Sequence, residues 1–538
     1  MSEVRLSRRQ ALTGAVAVAG AAALTGASAR PAVAQPVAGE AAPAPFALGV
    51  ASGDPLPDGV VLWTRLVRDR YAAASLGARP IPVQWQVAAD ERFRRVVRSG
   101  VAAARPALAH SVHVDVRGLE PGREYFYRFR GCGEVSPTGR TRTAPARHAD
   151  PRRLRLGLVS CQDLQNGYWP ALSGLAAEDL DLVLHVGDYI YEYDPDSRFP
   201  DRAHVPPETL GLDQLRTLDD YRNRHAQYKS DPALQAAHAV SAWVATWDDH
   251  ETENNYADLV DEVDDTGPAR QTPEEFARQR ANAYQAYYEH MPIRARLVPG
   301  SSRMRIYRRF DFGRLVRFNV LDTRQYRTDQ PGGFPDDLGL EDFGRTNTAG
   351  TLTGDAQERW LRDGLAGSRT RWNVVAQQVM MSRTRFPNPA MVPPTIVNLD
   401  QWDGYMPQRE RLLRFLADAR VTNPVMLAGD IHSTWCSDLK VNFDDPASPN
   451  VAVEFVGTSI SSDFPVAFDA PIKQANPLFN PHVRYFDGLK RGYLRCEIGR
   501  HLWRTDVRVV DTIDVPQAPV RTDASFVVEA GRPAILPA

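Results

Sequence analysis

The chain has little cysteine, little lysine and almost no net charge. Its 538 residues carry 64 basic and 66 acidic side chains, for a formal net charge of −2. This balance argues against a nucleic-acid partner, because no excess of positive charge exists to attract phosphates over a wide surface. The four cysteines are too few for a disulfide scaffold. One bridge, for instance Cys436–Cys496, stays open.

The signatures of several enzyme classes are absent too. The sequence has no Walker phosphate loop and no Gly-x-Gly-x-x-Gly fingerprint. The segment His250-Glu251-Thr252-Glu253-Asn254 begins like the helix of a zinc peptidase but lacks the second His four residues on. A content of 43% hydrophobic and 24% charged residues is typical of globular proteins. The length fits roughly three domains, or one large α/β domain with a small one.

The amino-terminal 34 residues have the order of an export signal. Arg8-Arg9 precedes a weakly apolar Ala/Gly/Val stretch, and Ala32-Val33-Ala34 offers a small-residue cleavage site. A membrane anchor is the alternative, but a segment so rich in Ala and Gly gains little from lipid. We therefore expect a twin-arginine signal peptide at 1–34. Its partner would be the twin-arginine export machinery, and the product would be secreted (extracellular, periplasmic or in the cell wall). Residues 35–45 form an Ala/Pro-rich linker.

Residues 46–146 read as a small β-sandwich. Short segments at 59–64, 81–87 and 112–116 are rich in β-branched and aromatic residues and partly alternate. The segment 118–127 resembles the corner of immunoglobulin and fibronectin-type sandwiches, in which a Tyr hydroxyl bonds back to the preceding turn. We expect an immunoglobulin/fibronectin-like domain that ends between 145 and 153.

The sequence pattern changes from residue 155, where apolar strand-like runs alternate with helical stretches. Thr272-Pro273-Glu274-Glu275 is a capping box that predicts the start of a helix. Its Phe276, Ala283, Tyr284, Tyr287 and Met291 can share one face. Further helices are predicted around residues 360–361 and 412–413. This alternation indicates a layered α/β domain over 150–538.

Several of these strands end in a tight polar cluster. Because sites in layered α/β folds assemble beyond the carboxyl ends of strands, we expect the clusters to meet. So many carboxylates cannot all stay ionised near one another unless multivalent cations offset their repulsion. The clusters are Ser160-Cys161-Gln162, Gly187-Asp188-Tyr189-Ile190-Tyr191, Trp247-Asp248-Asp249-His250-Glu251, Asp322-Thr323-Arg324, Gln377-Gln378 and Gly429-Asp430-Ile431-His432.

Each cluster taken alone has an ordinary explanation. Gly187-Asp188 can be a plain turn, and Asp248-Asp249-His250-Glu251 a solvated loop. Cys161 can be a small buried hydrophobe, Tyr191 a core aromatic, and His432 a buried histidine with satisfied hydrogen bonds. Their repetition at strand ends favours a metal site.

Together these motifs resemble the alkaline phosphatase D family, within the calcineurin-like and purple-acid-type metallophosphoesterases. The resemblance covers nearly the whole mature chain. It implies a four-layer α/β/β/α sandwich as the catalytic domain, after the small β-sandwich. The markers are Leu48-Gly49-Val50-Ala51-Ser52-Gly53-Asp54-Pro55, Ser160-Cys161, Gly187-Asp188-Tyr189-Ile190-Tyr191, Trp247-Asp248-Asp249-His250-Glu251, Asp322-Thr323-Arg324-Gln325-Tyr326-Arg327 and Gly429-Asp430-Ile431-His432-Ser433.

The resemblance also implies the metals and their ligands. Asp188 would bridge two metals, and the resemblance implies one Fe³⁺ and two Ca²⁺. Carboxylates replace the Asn and His ligands of the wider superfamily at two positions, and hard oxygen ligands favour calcium over zinc. Asn254, Asn255 and Gln378 are further candidates for the last calcium, although both asparagines can equally be turn residues. The iron ligands would be Cys161, Tyr191 and His432, and the second metal would take Asp249 and Asp430.

Three more roles follow from the chemistry of phosphate esters. Metals neutralise the phosphate oxygens and lower the pKa of bound water, which yields the hydroxide that attacks phosphorus. His250 can protonate the leaving oxygen or steady the transition state. Arg324 and Arg327 can clamp the phosphate bidentately, or can form surface salt bridges instead, and Asn255 is a candidate substrate contact.

The function expected from sequence is that of an exported phosphoesterase. Its substrates would be small phosphomonoesters, and also phosphodiesters, at alkaline pH. One alternative is a phospholipase D-type diesterase with a phospholipid substrate. The other is a non-catalytic cell-wall binding protein, which the amino-terminal sandwich fits but the intact ligand set argues against.

Overall fold

The computed structural model describes residues 45–69, 76–193, 197–204, 215–261, 271–332, 338–388 and 395–538. The predicted signal peptide at 1–34 and nearly all of the predicted linker at 35–45 lie outside these residues. Across the part of the chain so described, none of the helices combines the length and the apolar character needed to cross a bilayer.

A ten-stranded sheet runs through the molecule. Four neighbouring strands at its centre are parallel, and its flanks are antiparallel. In spatial order the strands are β25 (Leu536–Pro537), β24 (Val520–Glu529), β23 (Leu502–Val510), β22 (Arg491–Gly499), β9 (Arg153–Val159), β10 (Leu182–His185), β11 (Ala242–Ala245), β1 (Val50–Leu56), β2 (Gly59–Arg65) and β5 (Ser111–Arg117).

A seven-stranded sheet forms the second layer of strands. Four of its strands are parallel neighbours. In spatial order the strands are β12 (Arg308–Phe312), β13 (Val316–Val320), β15 (Trp372–Ala376), β18 (Pro424–Ala428), β20 (Asn450–Val456), β19 (Thr434–Lys440) and β21 (Val483–Asp487).

Helices cover the outer faces of the two sheets. One core between the sheets includes Leu158 and Val374, and two further cores lie under helices on either side. The resulting order of layers, α/β/β/α, confirms the predicted fold. The first sheet carries α1 (Pro170–Ala177), α2 (Leu218–Lys229), α3 (Pro232–Val240) and α4 (Pro273–His290), and the later helices are α5 (Glu341–Thr346), α6 (Gly354–Ala366), α7 (Met406–Asp418) and α8 (Val466–Phe479).

Local signals in the sequence give the predicted elements. Thr272 accepts the amide of Glu275, and the Glu275 carboxylate accepts the amide of Thr272, so the capping box starts α4 as expected. The predicted apolar face of α4 is buried. The central strands are buried on both faces, as their continuous apolar runs require.

The strands of the predicted amino-terminal sandwich divide between two sheets. The Tyr125 hydroxyl accepts the Glu120 amide at 2.9 Å, which confirms the predicted tyrosine corner. β1, β2 and β5 belong to the ten-stranded sheet and share a core with the separate sheet of β3 (Ile81–Ala88), β4 (Val96–Ala104), β6 (Glu124–Gly131), β7 (Glu134–Val135) and β8 (Gly139–Arg142). The domain boundaries at 46, 146 and 150 stay predictions.

Two smaller features complete the fold. β14 (Leu338–Gly339), β17 (Thr395–Asn398) and β16 (Phe386–Pro387) form a three-stranded sheet. The thiols of Cys132, Cys161, Cys436 and Cys496 are all free, so the bridge that the sequence left open between Cys436 and Cys496 is not formed.

Candidate metal centre

The predicted site residues meet where the carboxyl ends of both sheets come together. Cys161 follows β9, Asp188 follows β10, Asp249 follows β11 and Asp430 follows β18. Gln378 ties the two sheets at this point, because its Nε2 donates to the Leu321 carbonyl at 3.0 Å and to Thr246 Oγ1 at 2.9 Å. The strand ends therefore converge as the pattern of polar clusters predicted.

Three adjoining groups of side chains have donor atoms that lie within 4.8 Å of one another in each group. Asp188 belongs to two of the groups, and Asp249 also belongs to two of them. The groups therefore form one continuous chain of donors. They are Cys161–Asp188–His432, Asp188–Asp249–His250 and Asp248–Asp249–Asp430.

Tyr191 joins the first group through its hydroxyl. Its Oη lies 3.1 Å from Asp188 Oδ2 and 3.2 Å from His432 Nε2, and it accepts the Ser462 hydroxyl at 2.6 Å. His432 Nδ1 donates to the Asp463 carbonyl at 2.8 Å. This hydrogen bond leaves Nε2 as the unprotonated nitrogen that faces the group, which is the usual arrangement of a metal-binding imidazole.

The backbone bends sharply at four of the donor residues. Cys161, Asp188, Asp430 and His432 have φ values of 58°, 56°, 65° and 54°, in the left-handed region that residues other than glycine seldom adopt. Such a conformation costs on the order of 1–3 kcal/mol per residue and persists only where surrounding contacts enforce it. Four instances in one site indicate that the loops are held for function.

Glu251 holds two of these loops together. Its carboxylate accepts the amide of Asp188 at 3.2 Å and that of Asp248 at 2.8 Å, and it also accepts the amide of Tyr189. Burial and the neighbouring Asp188 raise the pKa of Glu251 to about 8. The sequence placed Glu251 in the right cluster but assigned it no role.

Buried carboxylates dominate the electrostatics. Burial raises the pKa of Asp188 and of Asp248 well above the usual value, and nearby carboxylates add to the effect. Asp188 Oδ1, Asp248 Oδ2 and Asp249 Oδ1 have no hydrogen-bond partner among the described residues. Buried oxygens without partners are costly, and cations would satisfy them. The donor set therefore fits metal ions.

His250 lies on the edge of the second group, against Tyr191. Its Nδ1 is 2.8 Å from Glu192 Oε2, and its ring centroid is 4.2 Å from that of Tyr191. Burial lowers the pKa of His250, but the carboxylates of Glu192 and Asp249 outweigh it, so the pKa stands well above the usual value. A protonated His250 can donate a proton but cannot bind a metal ion, so Asp188 and Asp249 are the metal donors of the second group. Glu192 is not among the predicted site residues, although it directly follows the cluster Gly187-Asp188-Tyr189-Ile190-Tyr191.

Arg324 and Arg327 differ from the phosphate clamp that the sequence suggested. Both are buried, and both bond to Asp400, with N–O distances of 2.7 and 2.8 Å. Arg324 also bonds to Asp248 and, at 3.0 Å, to Asp430. Each guanidinium group presents five N–H donors in a planar fork and can therefore bond to several carboxylates at once. The two arginines thus neutralise carboxylates of the protein. Asp400 carried no signal in the sequence.

The three amide candidates lie in different places. The backbone N–H of Asn255, a residue with φ 54°, donates to Asp249 Oδ2 at 2.8 Å. The backbone N–H of Asn254 donates to Glu192 Oε1 at 2.8 Å. Both therefore support site carboxylates through their backbone. Gln378 bonds through both ends of its side chain between the sheets, so its amide is committed to the fold.

The four-layer fold and the three adjoining donor groups at its strand ends define a metallophosphoesterase. Comparison with known proteins identifies the family. The PhoD-like phosphatase family matches residues 156–507, and its amino-terminal domain matches residues 31–145. The chain belongs to the PhoD-like phosphatases and is a phosphoesterase of that type.

Two relatives show the extent of the similarity. Alkaline phosphatase D of Bacillus subtilis (strain 168) is 45% identical over 490 residues, which span 90% of this chain and 81% of the relative. A solved structure of PhoD has a TM-score of 0.83 and 44% identity, with 92% of each chain covered. The similarity supports a phosphatase rather than a non-catalytic binding protein, and the metal dependence of the family agrees with the three candidate donor groups among the described residues.

Proposed function

We propose that the centre holds one Fe³⁺ and two Ca²⁺ and that the enzyme hydrolyses phosphomonoesters and phosphodiesters at alkaline pH. The observation that carries this proposal is the chain of three donor groups joined by Asp188 and Asp249. A shared carboxylate between neighbouring groups is what two closely spaced cations require, because it offsets their mutual repulsion.

The donor types differ along the chain of groups and support different ions. The first group offers the Cys161 thiol, the His432 imidazole and, beside them, the Tyr191 hydroxyl. Sulfur, nitrogen and phenol oxygen suit iron. The third group consists of carboxylates only, which favours calcium.

The side chains of the site divide the work of hydrolysis. Bound metal ions would neutralise the phosphate oxygens and lower the pKa of a water molecule. Glu192 orients His250, whose proton can pass to the leaving oxygen of the ester. The Arg324 guanidinium partly neutralises the carboxylates of Asp248 and Asp430. Burial of these groups strengthens every one of their electrostatic interactions.

Phospholipids are a proposed subset of the diester substrates. Val466 and Phe468 on the first turn of α8 are 61% and 48% exposed. They follow Asp463, whose carbonyl holds His432. Exposed apolar side chains three and five residues after Asp463 would suit an apolar ester group. Choline release from phosphatidylcholine, measured against phosphate release from a nitrophenyl monoester, tests this; no choline release would restrict the enzyme to soluble esters.

We also propose export by the twin-arginine route to the cell exterior, periplasm or wall. The support is the leader with Arg8-Arg9 and the metal-dependent family, because that route carries folded proteins. The double substitution Arg8→Lys and Arg9→Lys should retain the protein in the cytoplasm of its host. Unchanged export would refute this route.

Two measurements test the proposed metal centre directly. Protein exported by its own host should contain iron and calcium in a ratio of about one to two by elemental analysis. Tyr191→Phe should remove a visible absorption band from tyrosinate bound to iron. Tyr193→Phe is the matched control, because its ring lies 6.0 Å from that of Tyr191 and it should keep the band. A band that persists in Tyr191→Phe contradicts the ligand assignment.

A further inference from the structure

Arg491 is a third arginine beside the metal centre, at the first position of β22. Its side chain is buried, and its Nη1 donates to the carbonyls of Gly488 and Lys490 at 3.1 and 3.2 Å. Its Nη2 faces Asp463 Oδ1 at 4.0 Å, the limit of an ion pair. The guanidinium is thus anchored through Nη1, while Nη2 is only weakly engaged.

The segment 458–463 connects Arg491 to the first donor group. The Gly492 amide donates to the Ser459 carbonyl at 3.0 Å, which holds β22 against this segment. From the same segment, Ser462 bonds to Tyr191 and Asp463 bonds to His432. Arg491 is therefore joined through this segment to the residues that bond to Tyr191 and His432, and its charge interacts with the Cys161 and His432 groups.

The counter-ions of Arg491 differ from those of Arg324 and Arg327. Those two arginines bond to buried carboxylates, whereas Asp463, with a side chain 72% exposed, is the acid within ion-pair distance of Arg491 among the described residues. Burial lowers the pKa of Arg491 below its usual value, and the nearby groups of Asp463, Asp487, Cys161 and Tyr191 offset this only in part. A buried cation with so weak a partner is suited to an anionic ligand.

We propose that Arg491 binds a non-esterified oxygen of the phosphoryl group of the substrate, and that Asp463 occupies this position in competition with it. The inference depends on the proposed location of the phosphoryl group at the first donor group. A monoester dianion carries one more charged oxygen than a diester, so Arg491 favours monoesters over diesters. A charge-assisted, directional contact of this kind is what guanidinium groups supply to phosphate.

The affinity of the metal-loaded enzyme for inorganic phosphate, measured by titration calorimetry, tests the proposal. Arg491→Gln should weaken binding about tenfold to hundredfold, which is the usual effect of losing a hydrogen bond to a charged group. Arg491→Lys should restore part of it. Lys490→Gln is the matched control, because it removes a positive charge from the adjacent residue, whose partners are Asp487 and Asp523. Affinities of Arg491→Gln and Lys490→Gln that agree within twofold would overturn the proposal.

Asp463→Asn, made in the wild type and in Arg491→Gln, tests the pairing of the two residues. Removing the competing carboxylate should tighten phosphate binding several-fold in the wild-type background and much less in Arg491→Gln. An equal gain in both backgrounds would show a general charge effect and would overturn the pairing. Kinetics should agree, with kcat/KM for a monoester falling more than that for a diester in Arg491→Gln.

Metal analysis separates failure of this inference from failure of the proposed centre. Arg491→Gln should retain the wild-type metal content and unfolding temperature, because Arg491 belongs to none of the three donor groups. Loss of metal in Arg491→Gln would assign it a structural role and would overturn the proposal. Wild-type protein without iron or calcium would instead refute the ion assignment, while the comparison of phosphate affinities would still decide the role of Arg491.

Discussion

Arg324 shows how one residue makes an acidic centre compatible with a folded chain. It is fully buried and bonds to Asp248, Asp400 and Asp430. Removing one partner of a buried ion pair typically costs about 3–5 kcal/mol, because the remaining charge is left without compensation. Arg324 is therefore a condition for the centre to exist, whatever its part in catalysis.

His482 makes stability depend on pH. Burial lowers its pKa to about 3, the Arg383 and Arg409 cations add to this, and its Nε2 donates to the Arg383 carbonyl at 2.8 Å. Below the unfolded pKa of about 6.5, the unfolded chain binds a proton that the folded chain refuses. Stability is therefore full above that pH and falls by about 1.4 kcal/mol per pH unit as the pH drops towards 3.

His482→Gln keeps a side-chain donor and cannot take up that proton. Between pH 7 and pH 5 the free energy of unfolding should fall by about 2 kcal/mol less in the variant than in the wild type. Urea denaturation at the two pH values measures this. His501→Gln is the control, because its side chain is exposed and the same substitution there should leave the pH dependence unchanged. Identical pH slopes for His482→Gln and the wild type would contradict the expected effect.

At the scale of elements, the turn after β10 decides where Asp188 points. Gly187 has φ 116°, and a Cβ there would lie 2.3 Å from Asp248 Cβ and 2.8 Å from its backbone nitrogen. The loop after β10 thus touches the loop after β11 at a point where only glycine fits. This contact brings Asp188 and Asp248 into adjoining donor groups.

Gly187→Ala should therefore destabilise the fold by about 3 kcal/mol or more and abolish activity, because both the backbone conformation and the close approach must change. Gly300→Ala is the matched control: its φ is also positive, 78°, but nothing lies within 4 Å of the added Cβ. The control should lose about 1 kcal/mol and keep its activity. Thermal unfolding and phosphatase assays measure both, and equal losses would show that the contact with Asp248 is unimportant.

At the scale of the whole molecule, the amino-terminal strands complete the catalytic sheet. β1 pairs in parallel with β11, with Ser52 opposite Ala242 and Gly53 opposite Trp243. Trp63 Nε1 donates to the Glu289 carbonyl at 2.9 Å, and Arg308 pairs with Asp54 at 2.7 Å. The region that the sequence suggested as a separate sandwich is thus hydrogen-bonded into the sheet that carries the site.

A chain that begins at residue 150 should consequently aggregate. Without β1, the buried strand β11 becomes an exposed apolar edge that can pair with other molecules. Light scattering and size-exclusion chromatography of residues 150–538 measure this. Residues 45–538 form the control and should remain monodisperse. A soluble and active 150–538 fragment would show that the shared sheet is not needed for the catalytic fold.

The sequence by itself determined those features that depend on near neighbours along the chain. Apolar runs gave the central strands, the Thr272 capping box gave the start of α4, and the turn before Tyr125 gave the tyrosine corner. The polar clusters after strands also predicted the meeting of Cys161, Asp188 and the other donors, because parallel strands bring their carboxyl ends to one edge.

Only the tertiary structure decided which groups pair across the site and how the sheet continues. Arg324 meets Asp400 from 76 residues away, and Arg491 meets Asp463 only because two segments pack side by side. The pairing of β1 with β11 likewise joins strands far apart in sequence. Such contacts leave no periodicity or spacing in the sequence, because they arise from how complete elements pack rather than from the conformation of neighbouring residues.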